Sequence, residues 1–397
     1  MNRVILARLL PVAVALASCS DNSSSSMAAP MIDLAPPSES APPAPVATIT
    51  PSATNNVTIK DVARFDEPWA MAFLPGTSYA LITEKKGKLK LWREGLRSRD
   101  IAGVPAVDYG GQGGFGDVMP APDYAQSKMI YLSWVEAGQR GKRGAVVGKA
   151  RLLLGKEMRL DGLKVIWRQS PKTTGRGHYS HRIAFSPDGQ YLFVASGERQ
   201  LFTPAQDLDV NLGKVVRLTL DGKPAPGNPF ASRGGVGAEI WSYGHRNLLG
   251  LQFDAQGRLW DLEHGPAGGD ELNLVKPGQN YGWPIVSDGD HYDGRPIPRH
   301  STRPDLAAPA ISWNPVIAPG DFIFYSGKVF TGWKGQVIAT GLGSGGLVRM
   351  QITGETAREV ARIDLGNRIR EVKEGPDGAI WVLEDGGNAR LRKLTPR

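Results

Sequence analysis

Six times along the chain, a turn rich in Pro, Asp or Gly leads into alternating β-forming residues, then Gly or an acid, then a second strand. Clear copies run from Phe73 to Trp92, Phe185 to Glu198, Phe253 to Glu263 and Gly375 to Leu394. Weaker ones run from Pro122 to Glu136 and from Val329 to Met350. No long stretch keeps a helical period, and 49 glycines and 30 prolines cut the apolar runs short. The units recur roughly every 55 to 60 residues, a spacing that fits four-stranded propeller blades. The pattern predicts an all-β fold, a six-bladed β-propeller with four-stranded blades over residues 57–397. A pair of β-sandwiches is the alternative, and it lacks an obvious linker between its domains.

The residues ahead of this domain read differently. Met1 to Ser18 has the form of an export signal: Arg3 and Arg8 precede an apolar run, Leu9 to Leu16, that is too short to span a bilayer. Leu16-Ala17-Ser18-Cys19 resembles a bacterial lipobox, which makes Cys19, the only cysteine, the expected lipidated first residue of the mature chain. Residues 19–56 are then expected to be a disordered tether, rich in Ser, Ala and Pro and without Lys or Arg. By analogy with lipoprotein sorting, Ser20 after the cysteine points to a periplasm-facing protein of the outer membrane. Loss of Arg3 and Arg8 takes the net charge from +8 to +6, spread without long basic runs, a weak argument for nucleic acid. A small anionic ligand suits it equally.

The densest polar sequence lies between Trp241 and Trp283. Gly244-His245-Arg246-Asn247 precedes a strand with Leu249, Leu251 and Phe253. A turn at Ala255 to Gly257 follows, and Leu259, Trp260 and Leu262 form the return strand. Glu263-His264-Gly265-Pro266 and Gly269-Asp270-Glu271 come next. Two charged loops therefore open on one side of a hairpin. Propellers bind ligands on one face with loops from several blades, so distant clusters can converge. The candidates are Gly110 to Gly114 around Gln112, His178 to Arg182, the two loops above, and Arg368 with Arg370.

Several chemistries lose their signatures. His178 and His181 are three apart, but Gly175 and Gly177 precede them and a strand-like run follows, so helical zinc ligation has no support. Gly341, Gly343, Gly345 and Gly346 precede a strand rather than a helix, which rejects a dinucleotide fold. Neither a Gly-Lys-Ser/Thr phosphate loop nor a Gly-x-Ser-x-Gly elbow occurs.

Gly244-His245-Arg246-Asn247, the run Glu263 to Asn273 and Asn280-Tyr281-Gly282-Trp283-Pro284, in that order, resemble the glucose/sorbosone dehydrogenase group of pyrroloquinoline quinone (PQQ)-dependent soluble aldose dehydrogenases. The resemblance covers essentially Val57 to Arg397. It implies a six-bladed propeller that oxidises an aldose at C1 to the lactone, with hydride passing to PQQ. By motif, His178 matches the general base, Gln112 a residue beside base and substrate, and Arg246 and Asn247 the partners of the quinone oxygens. Trp313 matches a ring stacked on the cofactor, and Arg368 and Arg370 match contacts to its carboxylates. The backbone carbonyls of Gly265 and Pro266 match ligands of a catalytic Ca²⁺, and Glu271 with Tyr281 match a second, structural Ca²⁺ site.

The resemblance also allows a homodimer and requires an electron acceptor that the sequence does not identify. Two departures stand out. Leu342-Gly343-Ser344-Gly345 carries no counterpart of the lysine that relatives place against PQQ, and His264 stands where glucose-type members often have Gln. The competing functions are a Ca²⁺-dependent propeller lactonase and a non-catalytic propeller that binds a glycan or protein.

Overall fold

The structure, a computed structural model, describes residues 56–397. The expected signal peptide, Cys19 and nearly all of the tether lie outside the described residues. Six antiparallel four-stranded sheets follow one another along the chain, and their first strands pack side by side in a closed ring. The protein is a six-bladed β-propeller. Inner strands of blades one to six are Pro68–Phe73, Phe115–Pro120, Ser180–Phe185, Leu248–Phe253, Pro319–Phe324 and Ile369–Glu374. Each of the six sequence units falls in a different blade. The helix content is as low as the sequence predicts: one four-residue α-helix, Tyr124–Ser127, and short 3₁₀ turns among the described residues.

Ring closure uses the start of the described chain. Val57–Phe65 pairs with Ala389–Pro396, from Val57 opposite Pro396 to Phe65 opposite Ala389, and becomes the outer strand of blade six. The two ends of the domain are thus joined in one sheet, in which Val57–Phe65 covers Ala389–Pro396. Apolar side chains fill the wedges between neighbouring blades. Phe65, Met71, Trp92, Trp381 and Leu391 form one such layer between blades six and one, with Trp92 and Trp381 edge to face at 5.5 Å.

The central channel is stoppered by charge. Arg182, on the inner strand of blade three, reaches Glu371 at 2.6 Å, and Lys373 reaches Asp321 at 2.6 Å and Glu371 at 2.9 Å. The Arg182 guanidinium also donates to the Leu249 and Gly320 carbonyls and lies 4.1 Å from the Trp69 ring centroid. Buried charges survive only when paired and hydrogen-bonded in this way. Trp69 stacks on its other neighbour, His181, at 5.0 Å, and so links the stopper to the loops that carry the polar clusters.

Candidate active site

The loops leaving one face of the ring bound a cleft of about 320 Å³. Gln112, Asn247, Arg368 and Arg370 all line it, so residues spread over most of the domain meet where the propeller geometry predicts. His178 adjoins the same cleft. Its backbone N–H donates to Gln112 Oε1 at 2.7 Å, and its ring Nδ1 donates to Glu198. Glu198, 1% exposed, also accepts the N–H groups of Gln200 at 2.9 Å and Phe202 at 2.6 Å. Burial opposes ionisation of Glu198, but its bonds to His178 and Phe202 outweigh burial and hold the carboxyl below its ordinary range. An ionised carboxylate can only accept, so Nδ1 carries the hydrogen and Nε2 is left as the basic nitrogen. Burial lowers the pKa of His178 below that of a free imidazole, with Glu198 pulling the other way and Arg246 adding to the depression. The ring is therefore neutral at neutral pH.

Strained backbone surrounds this imidazole. His178, Ser180 and His181 have φ of 45°, 57° and 67°, and Arg199, Gln200 and Phe202 have 64°, 61° and 63°. Left-handed conformations at six non-glycine residues in two facing loops cost energy that surrounding bonds must offset, a pattern typical of functional sites. The Glu198 N–H bonds the Arg246 carbonyl at 3.0 Å, which ties both loops to the Gly244–Asn247 segment.

Arg246 lies under Trp283, 5.1 Å from its centroid, and donates to the His264 carbonyl at 3.1 Å and to the Tyr292 hydroxyl at 3.3 Å. It lines a neighbouring hollow with Pro266, Trp283 and Tyr292. His264 donates from Nε2 to the Pro319 carbonyl at 2.7 Å. Burial drives its pKa to about 3, so it too is neutral and acts through hydrogen bonds and shape. The Gly265 N–H is pinned by Asp270 at 2.9 Å, and the carbonyls of Gly265 and Pro266 accept no backbone hydrogen bond. Two unpaired carbonyls on one rigid turn match the hard oxygen donors that Ca²⁺ selects.

Arg368 and Arg370 share one carboxylate, Asp385, at 3.0 Å and 2.8 Å. Neither Asp385 nor Lys85, which also lines the cleft, stood out in the sequence. Lys85 Nζ donates to the Gly111 carbonyl at 3.2 Å, and its pKa is lowered by burial and by Arg370 beside it. The cleft wall thus carries three cations against one carboxylate. Lys85 is a cation contributed by blade one where the Leu342–Gly345 segment of blade five offers none. Glu198 was likewise missed. Each of the three sits at a strand end among ordinary charged turn residues, and only tertiary structure turns it inward.

Trp313 departs from expectation and does not line the cleft. Its pairing opposite Asp270 turns the indole into the core between blades four and five, where Nε1 donates to Glu359 at 3.0 Å. Glu271 and Tyr281 are brought together, both buried, with His300 between them.

A glucose/sorbosone dehydrogenase family model matches residues 65–393. The aldose sugar dehydrogenase YliI of Escherichia coli (strain K12) is 39% identical over 355 residues, covering 87% of this chain and 94% of that protein. The crystal structure of the soluble aldose sugar dehydrogenase from Escherichia coli in the apo-form superposes with a TM-score of 0.81 at 39% identity, covering 86% of this chain and all (100%) of that one. The PQQ-bound form of the aldose sugar dehydrogenase from Streptomyces coelicolor gives 0.70 at 28% identity, covering 88% and 100%.

Proposed function

This chain belongs to the glucose/sorbosone dehydrogenase family, and on that footing we propose that it is a PQQ- and Ca²⁺-dependent aldose sugar dehydrogenase that converts the sugar to its lactone. The observation that carries the reading is a neutral imidazole, fixed by a buried carboxylate, beside a cleft walled by Lys85, Arg368 and Arg370. Those cations suit a flat ligand bearing several carboxylates, and the Gly265 and Pro266 carbonyls would hold the calcium.

PQQ, when bound, supplies the quinone that accepts hydride from C1 of the sugar. His178 Nε2 takes the proton of the anomeric hydroxyl, so the C1–O bond becomes the lactone carbonyl as hydride leaves. Glu198 keeps the ring in the productive tautomer and stabilises the imidazolium once the proton has arrived. Arg246, held by Trp283, Tyr292 and the His264 carbonyl, offers fixed positive charge where negative charge grows, without reorganising during the reaction. Gln112 holds the His178 backbone and faces the cleft, where it can bond a sugar hydroxyl.

Replacing His178 by Ala tests the assignment. The variant is expected to retain PQQ and lose sugar-driven dye reduction by about 10²-fold or more; unchanged turnover removes His178 from the base role. Anchoring through lipidated Cys19 at the periplasmic side of the outer membrane is part of the same proposal. Metabolic labelling with a radioactive fatty acid, absent in Cys19→Ala, checks it.

A further inference from the structure

The resemblance leads one to expect a second, structural Ca²⁺ at Glu271 and Tyr281, and the side chains there do not fit one. His300, at the start of the short 3₁₀ turn His300–Thr302, inserts its imidazole between these two residues. Nε2 lies 3.2 Å from the Tyr281 carbonyl oxygen, the ligand atom expected to face the metal. Nδ1 lies 3.5 Å from Asp288 Oδ1 and 3.8 Å from Glu271 Oε1. The ring is 5% exposed, and Glu271 and Tyr281 are 7% and 3% exposed. Calcium requires six to eight oxygens at about 2.3–2.6 Å. Here the imidazole Nε2 contacts that carbonyl and the Asn273 amide nitrogen lies 3.4 Å from Glu271 Oε2, so both expected ligand groups face nitrogen donors rather than further oxygens.

We infer that His300 takes the place of a structural calcium in this protein, bridging the Tyr281 carbonyl to the carboxylates of Asp288 and Glu271 so that the blade-four loop closes without metal. The surroundings are built for the ring. Gly282, at φ 91°, follows Tyr281, and a Cβ there would lie 3.6 Å from His300 Nε2 and 2.2 Å from Val286. Asp288 is held on its other oxygen by Ser312 at 2.7 Å. On the far side of Glu271, the Asn273 amide donates to Glu271 at 3.4 Å and to Glu263 at 3.1 Å, so the carboxylates are spaced by protein donors. Tyr281 is clamped independently of any ion: its ring stacks on His245 at 4.6 Å, and its hydroxyl donates to the Leu274 carbonyl.

This inference concerns a site separate from the Gly265–Pro266 turn, although the expectation it corrects comes from the same family reading. The test is therefore a difference in metal content between variants. PQQ-loaded protein is equilibrated with Ca²⁺, freed of excess ion and assayed by plasma mass spectrometry. His300→Gly is expected to hold one more equivalent of calcium than the wild type and to show a Ca²⁺-dependent rise in Tm that the wild type lacks at this site. Glu271→Gln in the wild-type background is expected to leave the calcium content unchanged. Loss of one equivalent in Glu271→Gln, or no gain in either His300→Gly or the milder His300→Ser, overturns it. If the Gly265–Pro266 calcium of the proposed function is wrong, the wild-type count falls to zero while the difference between variants persists.

Discussion

In the proposed mechanism His178 and Glu198 form the contact on which the chemistry depends, and its two halves behave oppositely toward pH. The native pKa of His178 lies below the ordinary imidazole value because the ring is buried, so a fall in pH through 6.5 leaves it neutral and competent. The acid limb of kcat/KM is therefore expected below pH 6.5. Glu198 raises that pKa, so Glu198→Gln should move the limb further down. The same change should lower kcat by about 10²-fold, because the tautomer is no longer fixed. A pH–rate profile of both proteins checks this; a limb at or above 6.5 in the wild type contradicts it. The convergence of Gln112, Asn247, Arg368 and Arg370 on one cleft was legible because a propeller gathers polar loops from several blades on one face. Lys85 was not, since Glu84-Lys85-Lys86-Gly87-Lys88 reads as a solvated hairpin turn. Trp313 misled for the opposite reason: an aromatic in a motif position is also what a strand facing the core requires.

At the scale of the strand, turns carried the information and alternation often did not. The Ala255–Gly257 turn and its two flanking strands were readable because Gly and polar residues interrupt two apolar runs. Inner strands such as Pro68–Phe73 are buried on both faces over most of their length and show little period-two pattern, so their pairing partners could not be read locally. The closing strand Val57–Phe65 was invisible as such: nothing in a sequence announces that a strand pairs with one more than 300 residues away. Its removal gives an element-scale prediction. Deletion through Phe65 takes away the buried side chains of Val57 and Phe65 and bares the edge of Ala389–Pro396. Unfolding free energy should fall by at least about 3 kcal/mol, and light scattering should show self-association through the open edge. An unchanged Tm would mean that the ring does not depend on this closure.

At the scale of the whole domain, residues 56–397 form a ring whose centre is held by charge and whose one face is a polar cleft. Arg182, on blade three, touches the other five blades through Trp69, Asp117, Glu371 and the Leu249 and Gly320 carbonyls. Arg182→Met would leave Asp117, Asp321 and Glu371 facing Lys373 alone. The expected cost is about 3–5 kcal/mol in chemical denaturation, because a buried pair is broken rather than replaced; a loss under about 1 kcal/mol would mean that the stopper is not what joins the blades.

The repeat length made the six blades legible. The stopper was not, since its members lie on four different inner strands that only ring closure brings together. The cleft combines both kinds of residue, and it carries the central claim. Protein from Ser20 onward, titrated with PQQ with and without Ca²⁺ while quinone absorbance and aldose-driven dye reduction are followed together, tests that claim most directly. The account predicts saturable binding and Ca²⁺-dependent sugar oxidation, with the Kd raised about tenfold or more in Lys85→Met. Absence of PQQ binding even at high micromolar concentration would contradict it.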